Sequence, residues 1–241
     1  MKASVIKQLI PTWLYQLRHK YKHRQFINQS NTAIFSEIYD NHLWGGDDED
    51  FHSGIGTIDE NAQLYLNKLS NFFKTNNVQS VVEIGCGDFR LMKSILDGSS
   101  LQYTGIDVVP NLINHLSQNF ANERISFMCA DAAMDNLPPA DVCIIRQVLQ
   151  HLSNDQILSI LKKCEQYRFV IITEHLPIGS NIVPNKDKPS GPDVRMYFYS
   201  GVFIEFSPFN QKTEIFIEYR ADYNVFNKMQ AAVHRTYLIK H

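Results

Sequence analysis

A chain of 241 residues is long enough for one α/β domain with additions and too short for two comfortable domains. Its formal net charge of -2 gives no overall attraction to nucleic acids or acidic polymers, and no apolar stretch approaches the roughly 20 residues that span a bilayer. With no signal-peptide core near the start, we expect a cytoplasmic protein.

The four cysteines, Cys86, Cys129, Cys143 and Cys164, form no C-x-x-C pair. Three of them fall on or beside predicted buried strands. We therefore expect small apolar core residues in a reducing compartment rather than disulfides or metal ligands.

The first predicted unit, residues 1–56, begins with a basic helix. Residues 1–24 have an apolar stripe at helical spacing that includes Trp13, together with several Lys and Arg and no acid. Such a helix suits peripheral contact with an anionic inner membrane surface, or packing on the domain or on a partner subunit. The sequence leaves both open.

Residues 35–56 read as an irregular segment with Trp44 beside two glycines and an acidic run, Asp47 to Asp50. A Gly-rich segment with a Trp directly before the first domain helix suits a lid over a cleft, and we expect Trp44 to meet the substrate. The acidic run is most simply solvated. A metal site combining it with His52 is the less favoured alternative, so no metal is predicted.

The second unit, residues 57–241, starts with a capping box, Thr57 to Glu60, and a helix to about Asn76. The strands are then predicted at 81–84, 101–106, 125–129, after Asp141 and at 169–173, with helices between them. This alternation indicates an α/β fold with a doubly wound parallel sheet and helices on both faces. Alternating residues in 214–219 and 232–239 predict a terminal antiparallel pair.

A glycine turn follows the first buried strand. Gly85 and Gly87 let a ligand approach the backbone closely where a side chain would block it. A dinucleotide-binding turn would place a third glycine where Arg90 stands, which disfavours a nicotinamide dehydrogenase.

Three acids lie at the carboxyl ends of successive strands. Glu83 suits an amino group, Asp107 is spaced for two ribose hydroxyls, and Asp131 suits the exocyclic amine of adenine. The implied ligand has an amine, a ribose and an adenine but no phosphates.

These residues resemble the motifs of the class I S-adenosylmethionine (SAM) methyltransferases. Glu83 to Gly87 is similar to the first motif, Asp107 to the acid of the second strand, Ala130-Asp131 to the adenine-side motif, and residues 141–152 to the fourth strand and its following segment. The resemblance covers roughly residues 55–175. It implies a single Rossmann-like sheet of seven strands with an antiparallel C-terminal hairpin, and SAM as cofactor. The implied cofactor-binding residues are Glu83, Gly85, Cys86, Gly87, Asp107, Val108, Asp131, Ala132 and Gln147.

Phe89 departs from the commoner first motif, which often has a third glycine there. After the fifth strand, a long insertion at about 176–210 is rich in Pro, Gly and aromatic residues, so it is expected to be ordered and functional. Asn185, Asp187 and Arg195 are candidates to hold a polar substrate. The alternative is that they satisfy the backbone of the loop itself.

Methyl transfer to a hydroxyl requires removal of a proton, and histidine is the natural base near neutral pH. His175, just past the fifth strand, and His151, after the fourth, are the candidate bases. His151 has the alternative role of a packed, hydrogen-bonded histidine.

We expect an O-methyltransferase acting on a small polar acceptor, a hydroxyl of a sugar or surface-glycan precursor. That acceptor rests on a similarity of the Trp-Gly…Ser-Gly-x-Gly stretch to methyltransferases of bacterial glycan-modifying pathways. The alternatives are a non-sugar small molecule and a catalytically silent SAM-binding partner subunit. Nucleic acid is not expected, because the only basic cluster is the N-terminal helix. Oligomeric state is left open.

Overall fold

The computed structural model describes Phe26 and residues 28–45, 51–53, 61–225 and 228–241. The predicted helix in residues 1–24, the acidic run from Asp47 to Asp50 and the capping box from Thr57 to Glu60 lie outside these residues and stay predictions. Within the described residues, no helix is both long enough and apolar enough to cross a bilayer.

The described residues form five α-helices and nine strands. The helices are α1 (Asn31–Asp40), α2 (Ala62–Thr75), α3 (Arg90–Leu96), α4 (Pro110–Phe120) and α5 (Asn154–Cys164). The strands are β1 (Ser80–Ile84), β2 (Gln102–Asp107), β3 (Ile125–Cys129), β4 (Val142–Arg146), β5 (Phe169–Pro177), β6 (Glu214–Arg220), β7 (Tyr223–Val225), β8 (Lys228–Gln230) and β9 (Ala232–Lys240). Two short 3₁₀ helices lie at Leu149–His151 and Arg195–Phe198.

Seven strands form one sheet in the order β3-β2-β1-β4-β5-β9-β6. Neighbours from β3 to β5 pair in parallel, whereas β9 pairs antiparallel with both β5 and β6. The predicted Rossmann-like fold with a C-terminal antiparallel pair is confirmed. The chain order reverses between β1 and β4, and open parallel sheets bind ligands outside the strand ends at such a point.

The central strands are buried because helices cover both faces of the sheet. All nine residues of β5 are buried, and β4 is buried except at Arg146. The edge strand β3 is mostly exposed or half-buried, so Cys129 is exposed, which corrects the expectation of a core thiol there. The other three cysteines are buried, and all four are free thiols.

Helix α1 corrects the prediction of an irregular segment from residue 35. Ser30 caps it by accepting a hydrogen bond from the Ala33 amide at 3.2 Å. Ile34 and Ile38 lie on one face and are buried in the core. Asn31, Thr32 and Ser36 are weak helix formers, so we attribute the stability of this helix mainly to tertiary burial rather than to propensity.

Strand β5 is four residues longer than predicted, because β9 pairs with it to the end. The register runs from Phe169 opposite Lys240 to Pro177 opposite Ala232. The extension carries Glu174 and His175 within the sheet instead of in the loop that follows it. The insertion therefore begins after Pro177.

Helix α3 begins after a residue in a left-handed conformation. Phe89 has φ 62°, and its ring is buried against Tyr103, Phe120 and Phe127 at centroid distances of 5.2, 5.6 and 5.0 Å. This backbone conformation explains why the related motif often has glycine at this position. Here aromatic packing offsets the cost of the left-handed backbone.

We expect Phe89→Ala to lower the free energy of unfolding by about 3–5 kcal/mol, because a buried ring is lost. Phe89→Gly should be no worse than Phe89→Ala, since glycine avoids roughly 1–2 kcal/mol of left-handed strain. Urea denaturation measures both. The matched control is Phe73, buried within α2, where glycine should be about 1 kcal/mol worse than alanine. The same order at both positions would contradict the strain argument.

Candidate functional site

A cleft of about 1730 Å³ opens at the carboxyl ends of the parallel strands. Most of the predicted site residues meet there. Those that line it are Trp44, Glu83, Gly85, Cys86, Gly87, Asp107, Val108, Asp131, Ala132, Gln147, His151 and His175. The chain thus brings residues from five strand ends and from the segment after α1 to one cavity.

The first glycine of the turn is required by packing inside the protein. Gly85 has φ 69°, and a Cβ there would lie 2.4 Å from Cγ2 of Val148. The amides of Gly85 and Cys86 both donate to the carbonyl of Ile106, at 2.7 and 3.0 Å. These bonds hold the turn at the end of β2.

The second glycine meets the segment after α1. Gly87 has φ 52°, and a Cβ there would lie 2.3 Å from Oγ of Ser53. Ser53 and Asp88 bond reciprocally: the Asp88 amide donates to Ser53 Oγ at 2.7 Å, and the Ser53 amide donates to Asp88 Oδ2 at 3.2 Å. The hydroxyls of Tyr39 and Ser53 are 3.0 Å apart. The predicted lid segment is thereby fastened to the glycine turn.

Asp107 is buried at the end of β2. Its Oδ2 accepts from the Gly87 amide and its Oδ1 from the Val109 amide, each at 3.2 Å. Burial raises the pKa of this carboxyl to about 6, although the backbone donors oppose the shift.

Glu83 is buried at the end of the neighbouring strand, β1. Its Oε2 accepts from the Tyr103 hydroxyl at 2.5 Å. Burial raises the pKa of Glu83 to about 7, and the Tyr103 bond and the charge of Arg146 act in the opposite direction. A ligand cation at this position would favour the ionised carboxylate.

Asp131 is held by helix α1, a contact that the sequence did not reveal. Its Oδ2 accepts from Nδ2 of Asn31 at 3.0 Å, and its Oδ1 from the Ala133 amide at 2.9 Å. Asn31 in turn accepts from Nε2 of Gln156 on α5 at 3.0 Å. Asn31 and Gln156 therefore position Asp131, which its sequence motif identifies without these partners.

His151 lies in the 3₁₀ helix after β4 and is packed beneath the segment that follows α1. Its ring centroid is 5.1 Å from that of Trp44, and its Nδ1 lies 3.3 Å from the carbonyl of Gly191, to which it donates. Burial, assisted by the charge of Lys188, lowers the pKa of His151 to about 3. The ring stays neutral and is a weak base, which favours the packing role over the catalytic one.

His175 and His234 lie side by side at the other end of the cleft. Their ring centroids are 4.4 Å apart, and Nε2 of His175 lies 2.6 Å from the carbonyl of Ala221. His234 was missed because histidine in a terminal strand has no motif. Its position opposite His175 is set by the pairing of β5 with β9, which no sequence signal indicates.

The structure places three predicted substrate residues away from the cleft lining. Asn185 donates to the carbonyls of Phe203 and Ser207, at 2.8 and 2.9 Å. Asp187 accepts from the amide of Asn154 at 2.8 Å, at the start of α5.

Arg195, the third of these residues, is 1% exposed. It donates to the carbonyls of Lys186 and Leu152, both at 2.8 Å. All three residues bond the framework of the insertion, as in the alternative interpretation, and none of them lines the cleft. Asp193, from the same insertion, does line the cleft.

The expected absence of a metal rests on the sequence argument alone, because Asp47 to Asp50 lie outside the described residues. In the part of the chain that the structure describes, no cluster of three His, Cys, Asp or Glu side chains has metal-binding geometry. His52 has its Nδ1 3.2 Å from the carbonyl of Trp44.

Residues 81–167 match the sequence model of a methyltransferase domain. The fold resembles the N-methyltransferase NodS of Bradyrhizobium japonicum WM9, in complex with S-adenosyl-L-homocysteine (SAH), at 12% identity and TM-score 0.58, over 88% of this chain and 100% of that one. It also resembles magnesium protoporphyrin IX methyltransferase (ChlM) of Synechocystis PCC 6803, with bound SAH, at 12% identity and TM-score 0.53, over 88% and 100% of the two chains. A comparison with curated proteins gave no significant match.

Residues 81–167 thus match a methyltransferase domain, and the sheet has the fold of solved methyltransferases that hold SAH. SAM is the cofactor that this similarity implies. The residues present fit the cofactor: two buried carboxylates face the cleft, where an ammonium group and ribose hydroxyls would offset the cost of their burial. Because the identity is only 12%, the similarity to these two structures concerns the fold alone.

We expect Gly87→Ala to destabilise the protein more than Gly98→Ala. Both glycines have positive φ, 52° and 74°, but nothing lies within 4 Å of a Cβ at Gly98. Left-handed strain costs about 1–2 kcal/mol at either position, and the contact with Ser53 adds to it only at Gly87. Equal losses in urea denaturation would contradict the steric argument.

The double variant Gly87→Ala with Ser53→Gly tests the same contact. Glycine at position 53 removes the obstructing hydroxyl. The double variant should therefore lose less stability than the two single variants together, by at least about 0.5 kcal/mol. Additive losses would show that the lid segment is not seated on the glycine turn.

Proposed function

We propose that the protein transfers the methyl group of SAM to a hydroxyl of a small polar acceptor, with a sugar or surface-glycan precursor as the acceptor class. The observation that supports this proposal is the composition of the acceptor half of the cleft, the end that contains His175 and His234. Beyond the cofactor-side acids, its lining includes four hydrogen-bonding rings, His175, His234, Tyr197 and Tyr223, and the paired side chains of Arg220 and Asp222. Such rings suit an uncharged, hydroxyl-bearing acceptor.

The charges around the cleft support an acceptor without phosphate. Each arginine among the described lining residues has a partner: Arg90 pairs with Asp88, Arg220 pairs with Asp222, and Arg146 lies over the ring of Tyr65. The carboxylates in the same lining are Glu83, Asp88, Asp107, Asp131, Asp193 and Asp222. An acceptor bearing phosphate would meet an excess of negative charge.

When bound, SAM supplies an electrophilic methyl group and a neutral thioether leaving group. The protein must exclude water, align the acceptor oxygen and remove its proton. We assign proton removal to His175. Because its Nε2–H donates to the Ala221 carbonyl, Nδ1 carries the lone pair that takes the proton, and the carbonyl stabilises the resulting imidazolium.

The ring cluster above the cleft suits water exclusion. Trp44 packs on Phe35, Tyr39 and His151, at centroid distances of 6.0, 5.4 and 5.1 Å. In this proposal Trp44 covers the reacting centre, and it is the one substrate candidate from the sequence that we retain. A silent SAM-binding subunit would have no need of the histidine pair.

We expect methyl transfer from radiolabelled SAM to uncharged sugars, with little or none to the corresponding sugar phosphates. His175→Asn should lower turnover by about 10²–10⁴-fold, the usual contribution of a general base. SAH affinity should stay near wild type, since the substituted ring lies outside the cofactor half. SAH binding without methyl transfer to any hydroxyl acceptor would favour the silent subunit, and uptake only by amine-bearing acceptors would refute O-methyl transfer.

The affinity for SAH should rise with pH. Burial raises the pKa of ligand-free Glu83 to about 7, and its protonated form is a poor partner for the SAH ammonium. The ionised fraction of Glu83, and with it the affinity, should therefore grow by about tenfold between roughly pH 6 and pH 8. Binding should also release protons, which calorimetry in buffers of different ionisation enthalpy detects.

Glu83→Gln is the control for this effect. It should bind SAH more weakly and lose most of the dependence on pH, with only the smaller contribution of Asp107, whose pKa is about 6, remaining. A flat profile in the wild type would remove Glu83 from the ammonium site.

A further inference from the structure

Four polar side chains form a row across neighbouring strand ends. Gln147 follows β4, His175 lies on β5, His234 on β9 and Tyr219 on β6, and these strands are adjacent in that order. His175 lies directly opposite His234, and Tyr219 is also opposite His234. The sheet therefore places Gln147, His175 and His234 in the cleft lining, with Tyr219 directly behind His234.

Hydrogen bonds at both ring nitrogens fix His234. Nε2 of Gln147 lies 3.2 Å from Nε2 of His234, and the Tyr219 hydroxyl lies 3.2 Å from its Nδ1. An amide nitrogen can only donate, so Nε2 of His234 accepts and its proton lies on Nδ1. The Gln147 amide thus occupies the lone pair through which this ring would act as a base.

The backbone of Gln147 is adapted to this reach. It has φ 56°, a conformation that residues other than glycine seldom adopt, and its amide donates to the carbonyl of Thr173 at 2.7 Å. A strained residue held by its neighbours often serves a functional site. Its side chain reaches from the end of β4 past β5 to His234 on β9.

The rings around this row are held by a small core of their own. Tyr223 stands perpendicular to His175 at 5.2 Å, and its hydroxyl lies 3.4 Å from that of Tyr197. Behind them the buried residues Met196, Val225 and Ala232 form a second apolar cluster. The histidine pair is therefore set in a packed wall.

We propose that Gln147 and Tyr219 are positioning residues that hold His234 as its neutral Nδ1–H tautomer, so that His175 alone of the pair accepts the acceptor's proton. The proposal rests on the proposed function and names the device that selects the base. The proton passes from the acceptor hydroxyl to Nδ1 of His175, while His234 packs against that ring and keeps its own proton. Without the Gln147 amide, both rings could accept a proton, and the base would have no fixed position.

The tautomers can be read directly by two-bond ¹H–¹⁵N spectra of the full chain with ¹⁵N-labelled histidine. Comparison with His175→Phe and His234→Phe assigns the two rings among the nine histidines. We expect His234 with its proton on Nδ1 and His175 with its proton on Nε2. A wild-type His234 with its proton on Nε2 would overturn the proposal.

Two substitutions at Gln147 give opposite signatures. Gln147→Ala removes the donor, so His234 should become a mixture of tautomers. Gln147→Glu replaces the donor by an acceptor, so the proton should move to Nε2 of His234. An unchanged His234 spectrum in Gln147→Glu would overturn the proposal, whatever the protein methylates.

Calorimetry with SAH separates this inference from the proposed function. Gln147→Ala should bind SAH within about twofold of wild type, whereas Asp107→Ala, the cofactor-side control, should bind at least about tenfold more weakly. A tenfold loss in Gln147→Ala would assign the amide to the cofactor and overturn the inference. Failure of the wild type to bind SAH would refute the proposed function, and the tautomer spectra would still decide the role of Gln147.

Discussion

The cost of burying two carboxylates at adjacent strand ends governs the cofactor half of this protein. Glu83 and Asp107 are withdrawn from water where β1 and β2 end, and burial raises the pKa of both. Backbone amides and the Tyr103 hydroxyl offset part of this cost, but the pKa values of the two acids stay at about 7 and about 6. A ligand that brings an ammonium group and hydroxyl donors would offset the rest of this cost.

The segment around α1 is tied to the same edge of the sheet, because its polar groups form hydrogen bonds there. Asn31 holds Asp131, and the Tyr39 and Ser53 hydroxyls meet at the glycine turn beside Asp88. Residues that precede the sheet in the chain thus contact two of its strand ends. The position of this segment beside the cleft and the placement of Asp131 therefore depend on the same few bonds.

The cofactor half was largely predictable because its signals are local in sequence. A buried strand, a glycine turn and an acid at the next strand end are close together in the chain, and parallel pairing brings them to one edge. The insertion was not predictable residue by residue. Whether Asn185 or Arg195 faces a substrate or a carbonyl depends on chain segments far away in sequence, and both face carbonyls.

Helix α1 and the length of β5 escaped prediction for a related reason. Neither has strong local propensity, and each is stabilised by partners that only the folded chain supplies: the core beneath Ile34 and Ile38, and the full-length pairing with β9. The same pairing places His234 opposite His175. No periodicity in the sequence indicates that register.

The two histidines predicted as bases show how environment divides roles between identical side chains. His151 is packed under Trp44 with Lys188 nearby, and burial lowers its pKa to about 3, so it contributes shape and one hydrogen bond. His175 lies at a strand end, with a carbonyl at one nitrogen and a second imidazole against its face. Each ring has a backbone carbonyl at one nitrogen, but a proton gained by His151 would be opposed by burial and by the neighbouring Lys188 cation. The difference follows from position on the sheet: both rings line the cleft, but His151 packs under Trp44 near Lys188, whereas His175 lies on β5 against His234.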